Sequence, residues 1–237
     1  MSAPSNVATN QGLRGLMNST IGAKIVMVAT GFVLVGFVVQ HMVANLQIYA
    51  GPDALNGYAH GLKHLAGGGV VWVGRAFLLA CIGLHIAAAA RLTDRNNKAR
   101  PSRYAVQRFR TTSYAARFMF MTGVVTLFFL VYHLLHFTGG VAHAEFFGGV
   151  DAQGRHDVWT MVVRSFQQPL IAFAYVAANV ALAIHLSHSV TSMFSTLGLN
   201  VGRYKPVIDR VGPAVATLVL VGNLSFPIAV LAGLVHL

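Results

Sequence analysis

Residues 23–49 read AKIVMVATGFVLVGFVVQHMVANLQIY, with Lys24 their only formal charge and His41 their only histidine. As a helix rising about 1.5 Å per residue, the stretch is about 40 Å long, enough to cross a hydrocarbon core of about 30 Å. The bilayer selects a helix here because a helix satisfies its backbone hydrogen bonds within itself. Four more apolar stretches of spanning length lie near 69–91, 117–139, 164–191 and 211–236. None of the five alternates polar and apolar residues as a barrel strand does. The chain therefore predicts an all-α integral membrane bundle of five transmembrane helices. The composition agrees: 10% of residues are charged, 55% are hydrophobic and the mean hydropathy is +0.62, which excludes an ordinary soluble domain. Residues 1–237 read as a single membrane domain with no evident internal repeat.

The first twenty residues, MSAPSNVATNQGLRGLMNST, contain no apolar signal core, and the first span is too long for a signal peptide, so no cleavage is expected. Orientation follows from the basic residues. Arg14 and Lys24, then Arg91, Arg95, Lys98, Arg100, Arg103, Arg108, Arg110 and Arg117, then Arg203, Lys205 and Arg210 share one side, 13 of the 17 Lys and Arg residues. The opposite loops hold Lys63 and Arg155 with four of the six acids, Asp53, Glu145, Asp151 and Asp157. The expectation is a cytoplasmic N-terminus and a C-terminus outside. The formal charge of +11 is then mostly a topology signal, with anionic lipid and a docked partner as further uses. No nucleic-acid motif accompanies it, so no nucleic-acid partner is expected.

Between the spans, 92–114 is the most polar linker and the broadest cytoplasmic surface. Loop 50–68 opens on a Gly-Pro-Asp turn, and its ALNGYAHGLKHL segment predicts a short interfacial helix. Loop 140–163 is glycine-rich and lies outside. Pro213 and Pro227 predict a bend in span five.

The chemistry sits in the histidines. His41 lies 17 residues after Lys24, and His133 lies 16 after Arg117, which puts both roughly 24–26 Å from the inner face. His85 and His185 each precede the inner end of an inward-running span by six residues, about 9 Å. The four thus fall into an outer pair, His41 with His133, and an inner pair, His85 with His185, in tiers about 15 Å apart. Two facing imidazoles in a helical bundle suit low-spin haem iron. A lone intramembrane histidine is commonly a helix–helix hydrogen-bond donor, but four at matched depths weaken that reading. A haem-free metal site draws on acids, and the spans hold none. Single Cys81 and the lack of a C-x-x-C-H motif exclude covalent haem attachment. His136 and His188, each three residues after a candidate, compete with it as ligand. Gly83 and Ala87 to Ala90 offer room beside His85. Arg75, towards the outer end of span two, is a candidate for a haem propionate or a quinone. His60, His64, His143, His156 and His236 read mainly as solvated histidines at the outer face. Tyr49, Trp72 and Trp159 read as interfacial anchors.

Four segments carry a family resemblance: STIGAKIVMVATGFVLVGFVVQHMVANLQIYAGPDALNGYAHGLKHL (19–65), GRAFLLACIGLHIAAAARL (74–92), MTGVVTLFFLVYHLLHFT (121–138) and IHLSHSVTSMFSTLGLN (184–200). In order and spacing the chain is similar to the cytochrome b membrane anchor of succinate:quinone oxidoreductase, in its five-helix, two-haem form. The resemblance implies two b-type haems, with His41, His85, His133 and His185 as axial ligands. The proximal haem would take His85 and His185, and the distal one His41 and His133. It further implies a quinone, menaquinone by the same likeness, and cytoplasmic partners, a flavoprotein and an iron–sulfur subunit of succinate dehydrogenase. The location implied is a bacterial inner membrane, within a respiratory chain joined to the tricarboxylic acid cycle. One departure is visible. Some members carry an acid near the outer quinone site, and span two here has none, so His60, His64 or Arg75 would have to substitute.

The chain itself shows no dicarboxylate, flavin or iron–sulfur motif, so dicarboxylate chemistry would belong to its partners. The competing expectations are the same architecture run backwards as a fumarate reductase anchor, the cytochrome b anchor of a hydrogenase or formate dehydrogenase, and a haem-free transporter or scaffold.

Overall fold

A computed structural model of the chain describes residues 19–99 and 113–237, so Arg14, Arg100, Arg103, Arg108 and Arg110 of the basic loops lie outside it. The described residues are helical, with no strand beyond an isolated bridge between Val150 and His156. Five helical stretches are long and apolar enough to cross a membrane.

Helix α1, Thr20–Asn45, starts where the Ser19 hydroxyl accepts from the Gly22 amide at 2.9 Å, a cap on otherwise unpaired donors. Helix α2, Pro52–His64, is the short outer helix expected in loop 50–68; Gly51, at φ 95°, turns the chain into it and Pro52 opens it. Helix α3, Gly69–Lys98, runs seven residues past the expected span, its polar last turns carrying a Lys98–Asp94 pair at 2.8 Å. Arg95 joins this end to α1 by donating to Thr20 Oγ1 at 2.9 Å. After the short turn α4, Tyr114–Arg117, helix α5, Met119–His133, continues into a single π-helical turn, Leu134–Thr138.

The fourth expected span, 164–191, is corrected by the structure. Its first residues belong to a separate short helix, α6, Val158–Phe166, and the helix long and apolar enough to span is α7, Pro169–Thr196. The break is chemical. Pro169 has no amide hydrogen and holds Gln168 extended, at ψ 113°, so one helix cannot continue through it but a new one can begin on it. The last helix, α8, Lys205–Leu231, is continuous through Pro213 and Pro227.

Helix α1 packs on α3 and α7, α7 also packs on α5, and α8 lies along α7 and reaches α1. Helices α3 and α5 share at most a marginal contact among the described residues. The helices that carry His41, His85, His133 and His185 thus form a quadrilateral with one loosely closed side. Helix α8 is locked by small and polar residues, as lipid-embedded interfaces require. A side chain on Gly212 would strike the Ser187 carbonyl and Thr191, and one on Gly222 would strike Met42. Asn223 donates to Asn179 Oδ1 at 2.9 Å, and Asn179 donates to the Tyr175 carbonyl, also at 2.9 Å.

Segments 50–68 and 140–163 close into a polar clamp at one end of the bundle. Buried Asn56 of α2 donates to Asp157 at 2.9 Å and to Asp151 at 3.3 Å, and accepts from the Trp159 amide. Arg155 bridges Asp151 and Asp53, each at 2.7 Å. Trp159, expected as an anchor, donates its indole N–H to the Ile48 carbonyl at 3.0 Å. Burial works to raise the Asp157 carboxyl, but hydrogen bonds from Thr160 and Asn56 outweigh it and hold the group below the ordinary carboxylate range.

Candidate functional site

The helices bring His41 of α1 to His133 of α5, with ring centroids 5.9 Å apart and planes nearly perpendicular at 88°. His85 of α3 and His185 of α7 each meet a threonine of a neighbouring helix. Each pair joins helices at opposite corners of the quadrilateral, so the two pairs cross the bundle on different diagonals.

Two threonines hold the inner pair. Thr30 Oγ1 lies 3.2 Å from His85 Nδ1, and Thr122 Oγ1 lies 3.3 Å from His185 Nδ1. Each hydroxyl donates its one proton within its own helix, Thr30 to the Val26 carbonyl at 2.7 Å and Thr122 to the Phe118 carbonyl at 2.9 Å. The threonine oxygen can then only accept, so Nδ1 of each histidine carries the proton and Nε2 is left with its lone pair. That tautomer is the one able to bind a metal through Nε2. The following glycines give the rings room: a β-carbon on Gly123 would sit 3.4 Å from His185 Cε1, and one on Gly31 3.8 Å from His85 Cε1.

A short repeat underlies this arrangement, although none was expected. Thr30-Gly31 precedes His41 with nine residues between glycine and histidine, and Thr122-Gly123 precedes His133 identically. Helices α1 and α5 therefore each support a histidine of the inner pair and carry one of the outer pair. Eleven residues from threonine to histidine correspond to about 16 Å of helix, close to the tier spacing expected from helix rise. Glycine thus adjoins the inner rings at 31 and 123, whereas Gly83 has no heavy atom of another residue near its would-be β-carbon.

The donor set fits a haem. Among the described residues, Nε2 of each of the four histidines makes no hydrogen bond to protein, and no group of three or more His, Cys, Asp or Glu side chains gathers to hold a bare ion. A pair of imidazoles completes an iron whose other positions a porphyrin fills. The outer ring centroids, 5.9 Å apart, are close enough for both imidazoles to reach one metal. None of the four rings is fully covered by protein, and His41 is the most open.

His136 is the opposite case. It is 1% exposed, with Nδ1 3.0 Å from the Tyr175 hydroxyl and Nε2 3.0 Å from the Ser165 hydroxyl, so both nitrogens are taken. It has none left for a metal. His188 has no hydrogen bond among the described residues, and the ring that Thr122 and Gly123 hold is that of His185.

The other candidates lie apart from the pairs. The Arg75 guanidinium sits 5.1 Å over the exposed Trp72 ring. His60 and His64 stack at 4.0 Å on the exposed side of α2, with His64 Nδ1 donating to the His60 carbonyl at 2.8 Å. His143, at φ 57°, meets the Tyr132 hydroxyl at 3.1 Å, and His236 meets its own Gly233 carbonyl. A groove of about 690 Å³ runs along the outer half of α1, lined by Gly36, Val39, Gln40, Val43, Gln47 and Tyr58. Within it Gln40 donates to the Tyr58 hydroxyl at 3.1 Å.

Compared with protein-family models, with curated proteins and with solved structures, the chain matches none.

Proposed function

We propose that this chain is the dihaem cytochrome b membrane anchor of a succinate dehydrogenase, passing electrons from an iron–sulfur partner to a membrane quinone. The observation that carries the reading is the crossing of two histidine pairs in the bundle, with Thr30 and Thr122 against the inner Nδ1 atoms and Nε2 left without a hydrogen bond among the described residues. A haem-free metal site would draw further protein ligands, and among the described residues no group of three or more His, Cys, Asp or Glu gathers. In this reading His85 and His185 hold the inner haem, and His41 and His133 the outer. The N-terminus is cytoplasmic, supported by the basic loops, and the membrane is a bacterial inner membrane.

When bound, b-type haem supplies a reversible one-electron iron couple, and two tiers of it connect the faces of the membrane. The chain's own residues position the ligands, keep water out with apolar helices and fix the ligand tautomers. The quinone is assigned to the groove along α1, where an apolar wall suits its tail and the Gln40 amide and Tyr58 phenol suit its carbonyls. His60, two residues after Tyr58, and His64 are the candidate proton-exchanging groups at the outer surface. The polar end of α3 and the short turn α4, with Arg91, Arg95, Lys98 and Arg117, form the described part of the docking face for the soluble subunits.

The test is purification of the tagged chain from its native membrane. The expected result is co-purification of a flavoprotein and an iron–sulfur protein, with succinate reducing a b-type chromophore. A colourless chain, or one arriving with neither partner, contradicts the proposal.

A further inference from the structure

The hydrogen bonds around His136 run in one direction, and they end on the outer histidine pair. Ser165 donates its only hydroxyl proton to the Met161 carbonyl at 2.7 Å, so its 3.0 Å contact with His136 Nε2 is donated by the nitrogen. A neutral imidazole has one N–H. His136 Nδ1 therefore accepts, and the Tyr175 hydroxyl donates to it across 3.0 Å. That commits the phenol proton. The remaining contact of the Tyr175 oxygen, 3.4 Å to His133 Nδ1, is accordingly donated by His133. The relay His133–Tyr175–His136–Ser165 thus gives His133 the tautomer that Thr122 gives His185, using residues from α5, α6, α7 and the π turn.

We infer that Tyr175 and His136 are positioning residues for the outer haem, fixing the His133 tautomer and raising its electron donation; the inference rests on the proposed function. Three observations favour this over simple helix packing. First, Tyr175, His136 and Ser165 are 5%, 1% and 0% exposed, in a segment where apolar residues would pack at less desolvation cost. Second, His136 sits in the π-helical turn Leu134–Thr138, a departure from α-helix common at functional sites. Third, the relay is dry: Phe137 stacks on His136 at 3.9 Å, and Phe129 and Phe166 each meet the Tyr175 ring at 5.1 Å. In such surroundings linked hydrogen bonds polarise one another. A polarised Nδ1–H makes an imidazole a stronger donor to its metal, which favours the more positive metal state.

The experiment is an optical redox titration of the full chain in its membrane complex, comparing wild type with Tyr175→Phe, His136→Leu and His136→Gln. Tyr175→Phe is expected to shift one of two midpoint potentials upward and leave the other. His136→Leu shifts the same one upward by less. His136→Gln, whose amide can accept from Tyr175 and donate to Ser165, returns close to wild type. If Tyr175→Phe moves neither potential, or moves the one that Thr30→Val moves, the inference fails while the dihaem reading stands. Should Tyr175→Phe not accumulate, identical potentials in His136→Leu and His136→Gln overturn it. Wild type without two haems overturns the underlying reading, and this inference with it.

Discussion

The inner and outer histidine pairs have the same chemistry and are held by different means. Inside, both rings rest against a Thr-Gly step on a neighbouring helix, and each hydroxyl orients one imidazole. Outside, His133 ends a relay through Tyr175, His136 and Ser165, whereas His41 is steadied by a stack on Phe37 at 5.4 Å, with no hydrogen bond to its ring nitrogens among the described residues. A local device repeated on two helices fixes the inner tier. The outer tier depends on side chains from three elements on one side and on a single ring on the other. Thr30 or Thr122 is a single point of control; the outer pair distributes it unequally.

Removing a ligand gives the largest effect. His85→Ala or His185→Ala is expected to abolish the inner haem and leave the outer, and His41→Ala or His133→Ala the reverse, counted as haem per chain. If His136→Ala removes a haem while His133→Ala does not, the outer assignment is broken. Thr30→Val and Thr122→Val come next. Each keeps the shape and removes the acceptor, so the inner site should lose about 10–100-fold in haem affinity with the outer unchanged, read by haem retention under detergent titration. Phe37→Ala should weaken only the outer site, by roughly 2–10-fold for a stacking contribution of about 0.5–1.5 kcal/mol. The smallest effect concerns the outer clamp. Hydrogen bonds to Asp157 hold its folded-state carboxyl below the ordinary value, so its stabilisation is complete above that value and is lost as pH falls through the folded one. Protease accessibility of the outer loops should therefore stay low at mildly acidic pH and rise only below the usual carboxylate range. Loss of protection near pH 6 would assign the clamp to histidine instead.

Much of this was legible in the sequence because the bilayer makes hydropathy decisive. The five helices long and apolar enough to span a membrane follow from helix rise and composition alone. The break before α7 also had a signal, Pro169, but a continuous apolar run from 164 concealed it. The Thr-Gly-x9-His repeat stands in plain letters at 30–41 and 122–133. Its meaning depends on His85 and His185 arriving from other helices, which no linear pattern encodes. The π turn that seats His136, and the phenol it shares with His133, arise from packing among α5, α6 and α7. At that level sequence spacing offered only an i,i+3 neighbour.

The central claim is that four histidines hold two haems in two tiers. The measurement that tests it most directly is haem content per purified chain, with a reduced-minus-oxidised spectrum, for wild type and the four single alanine variants. The account predicts two b-type haems in wild type and one in each variant, the same one lost by His41→Ala and His133→Ala and the other by His85→Ala and His185→Ala. A wild-type chain without a b-type band, or His41→Ala and His133→Ala losing different haems, would contradict it.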